Sequence, residues 1–388
     1  MDFEISDDHK AIREGVAAVA SRFDDEYWLA RDTDGKFPRE FHTAMAQAGW
    51  LGITMPEEFG GAGLGVAEAA IMMNEVTRTG GGWAAASTLH INLFGPHPIV
   101  VYGTPEQKQC WIPNLVAGKD QVCFGVTEPD AGLDTTKIRT FATKVPGGYR
   151  VNGQKIWTST AQVATKILLL TRTTAIEDCK KPTDGLTIFY TDLDRTKVEV
   201  QLIPKMGRKA VDSNMTFYDD LFVPDEDRIG EEGSGFRYLL DSLNPERIIV
   251  GAEAVGLGQG ALERAANYAR ERKVFGRTIG KNQGIQHPLA ENWMELEAAW
   301  AVTMKAAWLY DNKRSCGPEA NASKFLGARA CMSACLNAVT THGGLGYAKE
   351  YHVERLYREA MIPKITPVTE QMILSFIAEK VLGQEKSY

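Results

Sequence analysis

Four short segments carry residue types whose spacing could do chemistry. Cys123-Phe124-Gly125-Val126-Thr127-Glu128-Pro129-Asp130-Ala131-Gly132 sets hydroxyl and backbone N–H groups beside a proline-led turn. There they could hydrogen-bond the polar edge of a ring, or simply close a strand. Trp157 and Ser159 are two residues apart, so on a regular strand both face the same side. An indole beside a hydroxyl suits a flat aromatic cofactor and equally suits core packing. His342-Gly343-Gly344-Leu345-Gly346-Tyr347 ends a helical pattern, where glycine either admits a ligand phosphate close to the backbone or forms a C-cap. Arg272-Lys273-Val274-Phe275-Gly276-Arg277 is a basic cluster at another helix end, a place where cations offset the helix dipole. A fifth segment, Gly256-Leu257-Gly258-Gln259-Gly260, lies inside a helical pattern. A dinucleotide fingerprint needs strand–turn–helix context, so these glycines read as close helix packing.

The elements that must position these segments follow from periodicity. Ile12, Val16, Val19, Ala20 and Phe23 form one stripe of an amphipathic helix opened by Ser6. Phe41, Met45 and Ala48 continue the period, followed by a Gly-rich loop over 56–65 and a third helical stretch over 66–78. Thr104-Pro105-Glu106-Gln107 combines an N-cap, proline at N1 and a capping-box glutamine. From about Gln121 the pattern turns to strands. Asn152-Gly153 between Tyr149-Arg150-Val151 and Gln154-Lys155-Ile156-Trp157 predicts a hairpin, after a turn at Pro146-Gly147-Gly148. β-type runs follow over 166–171, 186–191, 198–203 and 215–223, separated by turn clusters, which indicates an all-β module. After Gly235 helices return, with alanine-rich stretches over 247–272, 283–310 and 320–341 long enough for a bundle. Pro288 should mark a first turn or a kink in the second. The expected architecture is a helical part (1–120), a middle antiparallel β domain (121–234) and a C-terminal four-helix-bundle-like part (235–388), an α+β multidomain class.

Composition bounds the function. The 388 residues allow two or three domains, and with 24% charged and 44% hydrophobic residues the chain is ordinary globular material. A net charge of −7, from 43 basic and 50 acidic residues, argues against nucleic acid or an anionic membrane as partner. The six cysteines, Cys110, Cys123, Cys179, Cys316, Cys331 and Cys335, are too scattered for a disulfide framework. Cys331 and Cys335 share a helix face with no histidine to complete a metal site. All six are expected to be reduced thiols. No apolar run is long enough to span a membrane. The acidic start Met1-Asp2-Phe3-Glu4-Ile5-Ser6-Asp7-Asp8 has no signal or transit pattern, and the final Lys-Ser-Tyr is not a peroxisomal address. Cytoplasm is the default expectation, with the mitochondrial matrix as the alternative if a presequence is missing.

An ordered set of motifs resembles the FAD-dependent acyl-CoA dehydrogenase family over the whole chain. It runs from Met55-Pro56-Glu57-Glu58-Phe59-Gly60-Gly61 through Val126-Thr127-Glu128-Pro129, Gly153-Gln154-Lys155-Ile156-Trp157 and Lys205-Met206-Gly207-Arg208. It continues through the segment 272–276, Gln283 and Gly343-Gly344. The resemblance implies FAD between the β domain and the bundle. Phe124, Val126, Thr127, Trp157 and Ser159 match isoalloxazine contacts. Gly132 and Leu133 match the turn near the phosphates, with Leu133 where the family usually has Ser. Arg272, Phe275, Gln283 and Gly344 match cofactor contacts made across a subunit interface, which implies a dimer or a dimer of dimers. Thr340 stands where a flavin-binding Gln is usual, and Thr369 and Gln371 match the C-terminal flavin contacts.

The family's usual catalytic base, a Glu near the C-terminus, falls at Pro367 within Ile365-Thr366-Pro367-Val368-Thr369-Glu370-Gln371. Proline neither takes a proton nor offers an N–H to the thioester carbonyl, and one lost oxyanion donor costs about 3 kcal/mol. Glu370 is off the base position in this register. Members acting on isovaleryl and long-chain thioesters take the base from a bundle helix instead. The matching residue is Glu246 in Asn244-Pro245-Glu246-Arg247, with Pro245 expected in a helix first turn. The plain alternative is that Glu246 only offsets the helix dipole. Glu253, two turns along the same face, is the second candidate.

The resemblance therefore implies an enzyme that removes the α-proton of an acyl-CoA through Glu246 while flavin takes the β-hydride. Arg247 would set the site's electrostatics at the substrate, and electron-transfer flavoprotein would be the acceptor. Pro367, Thr340 and Leu133 leave two alternatives: an oxidase, monooxygenase or desulfinase on the same scaffold, or a non-catalytic acyl-CoA or flavin binding protein.

Overall fold

The computed structural model describes residues 6–387, so the expectations resting on residues 1–5 and 388 lie outside it. Seven helices come first: α1 (Asp7–Ala20), α2 (Asp25–Asp34), α3 (Arg39–Gln47), α4 (Val66–Val76), α5 (Gly82–Phe94), α6 (His97–Tyr102) and α7 (Pro105–Val116). Ser6 caps α1 as expected, accepting from the His9 N–H at 3.2 Å. Thr104 and Gln107 close the anticipated capping box on α7. The Gln107 amide also donates to the Arg228 carbonyl at 2.8 Å, tying the helices to the sheet.

A π turn over Thr77–Gly81 joins α4 to α5 and re-aims the chain. Two buried side chains hold it. Glu359 accepts the Trp83 N–H at 2.7 Å, capping the start of α5, and Arg355 donates to the Gly80 carbonyl at 2.6 Å. This clamp fixes the direction of α5, and with it the side chains that α5 carries toward the centre.

The sheet contains β1 (Val122–Gly125), β2 (Phe141–Val145), β3 (Gly148–Ser159), β4 (Lys166–Arg172), β5 (Leu186–Asp192), β6 (Val198–Leu202), β7 (Ser213–Pro224) and β8 (Arg228–Ile229). Its order is β6-β7-β3-β2-β4-β5-β8, with β1 beside β4. Most pairs are antiparallel, but β1 and β2 each meet β4 in parallel, so the middle domain is not purely antiparallel.

The expected hairpin at Asn152-Gly153 does not form. Both residues lie inside β3, which continues through a bulge at that point while pairing with β7. Gly153 has φ 144, and a Cβ there would sit 2.7 Å from the Thr140 Cα, so glycine serves close approach rather than a turn. The real turn is the preceding Pro146-Gly147, where Gly147 has φ 81. Long pairing with β7 outweighs the local turn preference of Asn-Gly.

The last part is built on α8 (Gly235–Glu271), followed by the two-residue strands β9 (Lys273–Val274) and β10 (Arg277–Thr278). Then come α9 (Gln283–Asp311), α10 (Gly317–His342), α11 (Val353–Glu359), α12 (Ile362–Ile365) and α13 (Glu370–Lys380). Helix α8 begins at Gly235, earlier than its alanine-rich stretch suggests. Pro245 therefore lies in the helix interior, not its first turn, and leaves the Asp241 carbonyl without an i+4 donor. Pro288 likewise lies inside α9.

The α8 glycines do pack closely. A Cβ on Gly256 would come 2.1 Å from the Asn74 carbonyl oxygen of α4, and one on Gly260 would come 2.7 Å from the Arg78 carbonyl oxygen. Helix α8 thus runs against α4, α5 and α10 as the spine of the molecule. All six cysteines are free, with Cys331 and Cys335 buried on α10. Among the described residues no helix is long and apolar enough to cross a membrane, and no group of side chains could hold a metal ion.

Candidate active site

Helix α5 passes between the sheet and α8 and carries two polar side chains one turn apart, Ser87 and His90. His90 faces α8. Its Nδ1 lies 2.8 Å from Glu253 Oε1 and its Nε2 lies 3.9 Å from Glu246 Oε1. One imidazole reaches both, so the two glutamates occupy the same face of α8. Burial opposes charge on the ring, but the two carboxylates outweigh it, and the His90 pKa is pushed up to about 10. The short contact makes His90 and Glu253 a neutral pair. Glu246 makes the longer of the two contacts and is the more open carboxylate, its side chain 24% exposed while Glu253 is 1% exposed.

Because α8 starts at Gly235, Glu246 stands three turns inside the helix. The dipole's influence fades within the first turn, so dipole compensation does not account for this residue. Arg247 donates to the Asn244 Oδ1 at 3.1 Å, and its Nε is buried without a partner. Pro245, the residue before Glu246, lines a cavity with Met55, Leu93, Phe94, Val100 and Tyr310, which His97 and Asp311 also border.

The loop that carries Pro367 is fixed from α10. Lys324 is fully buried and donates to the Val368 carbonyl at 2.6 Å. Burial holds its pKa near 8, with Glu370 opposing and Lys364 and Arg247 adding to the shift. Thr369 caps α13 by accepting the Met372 N–H at 3.3 Å, and Gln371 is exposed in the first turn. Glu370 is 9% exposed and engaged by Lys364 at 2.8 Å, so it is tied into this loop's packing.

On the sheet side, Thr127 and Trp157 come from adjacent segments, the Thr127 carbonyl accepting the Ile156 N–H at 2.9 Å. The turn below them rests on a buried ion pair: Lys155 Nζ lies 2.8 Å from Glu128 Oε1, and Glu128 also accepts the Thr140 N–H at 2.9 Å. Lys155 further donates to the Val126 carbonyl at 3.0 Å. A second bulge separates Lys155 from Thr158, and Trp157 has φ 63. The regular pleat therefore does not set where Trp157 and Ser159 point. The bulge turns the indole outward, 55% exposed, while Ser159 is half-buried against Arg208. Phe124 and Val126 pack partly buried against the sheet core.

Arg208 bridges three serines. Its Nη2 donates to Ser159 Oγ at 3.1 Å and Ser213 Oγ at 2.9 Å, and its Nη1 reaches Ser87 Oγ at 3.3 Å. Ser87 thereby joins Trp157's surroundings to the His90–Glu246 end through a single turn of α5. The other predicted residues lie elsewhere. Gly132 and Leu133 are exposed beyond the Glu128 turn. Arg272 ends α8, and Phe275 and Gly276, both with positive φ, form the tip of the β9–β10 hairpin. The Phe275 side chain is entirely exposed (101%). Gln283 opens α9 and Gly344 follows the end of α10. Tyr268 stacks on His342 at 4.2 Å, so the ends of α8 and α10 adjoin. Thr340 is exposed and bonds only the Asn337 carbonyl, at 3.2 Å. No described hydrogen bond or ring contact joins this group to Trp157 within one chain.

His90 and Ser87 were not singled out in the sequence. A lone histidine and a serine in an apolar helix carry no motif; only their three-residue spacing, opposite two glutamates seven apart, could have suggested a shared face.

Three family models match the chain in order: acyl-CoA dehydrogenase N-terminal domain over residues 6–119, middle domain over 123–221 and C-terminal domain over 233–382. The chain is 34% identical over 396 residues to acyl-CoA dehydrogenase fadE12 of Mycobacterium bovis, covering 99% of this chain and 98% of that protein. It is 34% identical over 348 residues to the CarC subunit of the caffeyl-CoA reductase–Etf complex of Acetobacterium woodii, covering 89% and 90%. The FAD complex of PigA superimposes with a TM-score of 0.92 at 26% identity, covering 99% of both chains.

Proposed function

The chain belongs to the acyl-CoA dehydrogenase family of oxidoreductases, and on that footing we propose that it catalyses FAD-dependent α,β-dehydrogenation of an acyl-CoA thioester with Glu246 as the base. The observation that carries the base assignment is that His90 makes its short contact with Glu253, which leaves Glu246 as the farther and more exposed carboxylate on the same face of α8. A carboxylate in a partly water-free setting can take a proton α to a thioester carbonyl. Arg247, next in the chain and unpaired at Nε, supplies positive charge to the substrate side.

The residues fit FAD. A bulged strand holds an indole open to solvent, a flat face without a partner, beside the Thr127 and Ser159 hydroxyls. Phe124 and Val126, partly buried against the sheet core, are the further ring contacts this reading expects. Bound FAD supplies the hydride acceptor. This chain's own part is to hold the ring against Trp157, to present Ser159 to its edge and to receive the α-proton at Glu246 Oε. Gly132 and Leu133 would hold the cofactor near its phosphates, and Thr369 and Gln371 would supply the C-terminal flavin contacts. Arg272, Phe275, Gln283 and Gly344 serve the cofactor of a second copy. The full exposure of Phe275 and its separation from Trp157 support that arrangement, and with it a homo-oligomer, a dimer of dimers. Electron-transfer flavoprotein is the acceptor this reading expects, in keeping with the Etf complex of the CarC relative. The domain limits proposed are 1–120, 121–234 and 235–388, in a cytoplasmic enzyme.

Pro367 favours one second reading, other flavin chemistry on the same scaffold such as an oxidase, because it withdraws a backbone N–H from the loop facing the substrate. One experiment separates the two. Mixed anaerobically with short, branched and long acyl-CoA thioesters, the FAD-loaded protein should lose its flavin colour with one class. No bleaching with any thioester, while dithionite still reduces the flavin, would support the second reading.

A further inference from the structure

Among the described residues Arg208 forms no ion pair. It lies between β6 and β7 with a left-handed backbone (φ 55), and its partners are three serine hydroxyls, none of them a carboxylate. Its Nε is buried and unbonded, and the carboxylates it senses, Glu359, Asp212 and Glu253, act only through space. Arg208 is half-buried, and a shielded charge lacking a paired ion is costly, a feature that clusters at sites serving a ligand.

We propose that Arg208 is a positioning residue for the flavin, acting through Ser159: it directs the Ser159 hydroxyl to the ring edge and favours the two-electron-reduced cofactor. The inference rests on the FAD reading above. A serine hydroxyl has one proton and two lone pairs. The guanidinium donates to one lone pair of Ser159 Oγ at 3.1 Å, so the Ser159 proton remains free to donate outward. Ser159 would donate that proton to an acceptor on the ring edge. The fixed cation one hydrogen bond behind Ser159 would stabilise the negative charge of a reduced ring. Ser213 and Ser87 hold the guanidinium from the other sides, so the charge needs no reorganisation as the ring is reduced.

The test uses the FAD-loaded full chain and measures the two-electron midpoint potential by dye equilibration. In Arg208→Met the reduced flavin should bind about tenfold more weakly relative to the oxidised flavin, a fall of about 30 mV in potential. Arg208→Lys should recover most of the shift. Should the methionine variant not fold, Arg208→Gln keeps N–H donors for the serines without the charge and should fall by the same amount. A neutral variant with the wild-type potential overturns the proposal. If that unchanged potential comes with a KM rise confined to acyl-CoAs that bear a carboxylate, the cation serves an anionic acyl group instead. A wild-type protein that takes up no FAD would overturn the cofactor reading itself, a failure visible before any potential is measured.

Discussion

His90 on α5 and Glu253 on α8 meet at 2.8 Å, the shortest polar contact across the space between these helices at the candidate base. Glu253 is 1% exposed, so this contact is what permits a carboxylate in the core. It also underlies the proposed choice between the two glutamates. Glu253 takes the shorter contact, and Glu246 at 3.9 Å is the carboxylate proposed to receive the substrate proton.

Replacing His90 with Leu should expose how much that pairing contributes. It strands the Glu253 carboxylate in the core, and breaking such a pair costs about 3–5 kcal/mol, to be read from urea unfolding. The pH dependence has a definite sign. The His90 pKa rises on folding from the ordinary value of 6.5 to about 10. Its contribution to stability is therefore complete below pH 6.5 and is lost as pH rises through 10. The gap between wild type and His90→Leu should narrow across that interval.

Gly256 is expected to tolerate no side chain. An added Cβ would lie 2.1 Å from the Asn74 carbonyl oxygen and 2.2 Å from Thr77 Oγ1, the former a backbone atom held in α4. Gly256→Ala should destabilise by about 1–3 kcal/mol or more by forcing α8 off α4. Thermal unfolding checks it, and an unchanged Tm would mean the helices separate at no cost.

Trp157→Ala should weaken FAD binding. The indole offers a flat face to the ring, worth about 1 kcal/mol in stacking, or roughly fivefold in Kd. Equilibrium dialysis against FAD measures it. Because the side chain is 55% exposed, stability of the apo protein should change little, which separates loss of a ligand contact from loss of packing.

Much of the fold could be anticipated, and the exceptions have physical causes. Caps such as Ser6 and Thr104–Gln107 are local hydrogen-bond arrangements, so a few adjacent residues determine them. Asn152-Gly153 misled because its turn preference is local, whereas its conformation is imposed by β7, far along the chain. Pro245 misled in the same way: proline favours a helix start, but contacts with α4, α5 and α10 extend α8 through it. The pairing of His90 with Glu253 joins residues on two helices and becomes visible only when α5 and α8 lie side by side. Arg208 stood inside a recognised motif, yet nothing in the motif says that its guanidinium would meet three hydroxyls and no carboxylate.

The most direct measurement is the anaerobic rate of flavin bleaching in FAD-loaded wild type and Glu246→Gln, using the acyl-CoA class that reduces the wild type. General-base catalysis contributes about 10²- to 10⁴-fold, so the variant should bleach slower by that factor while binding the thioester normally. A Glu246→Gln protein that bleaches at the wild-type rate would show that another group takes the proton, and would contradict the account.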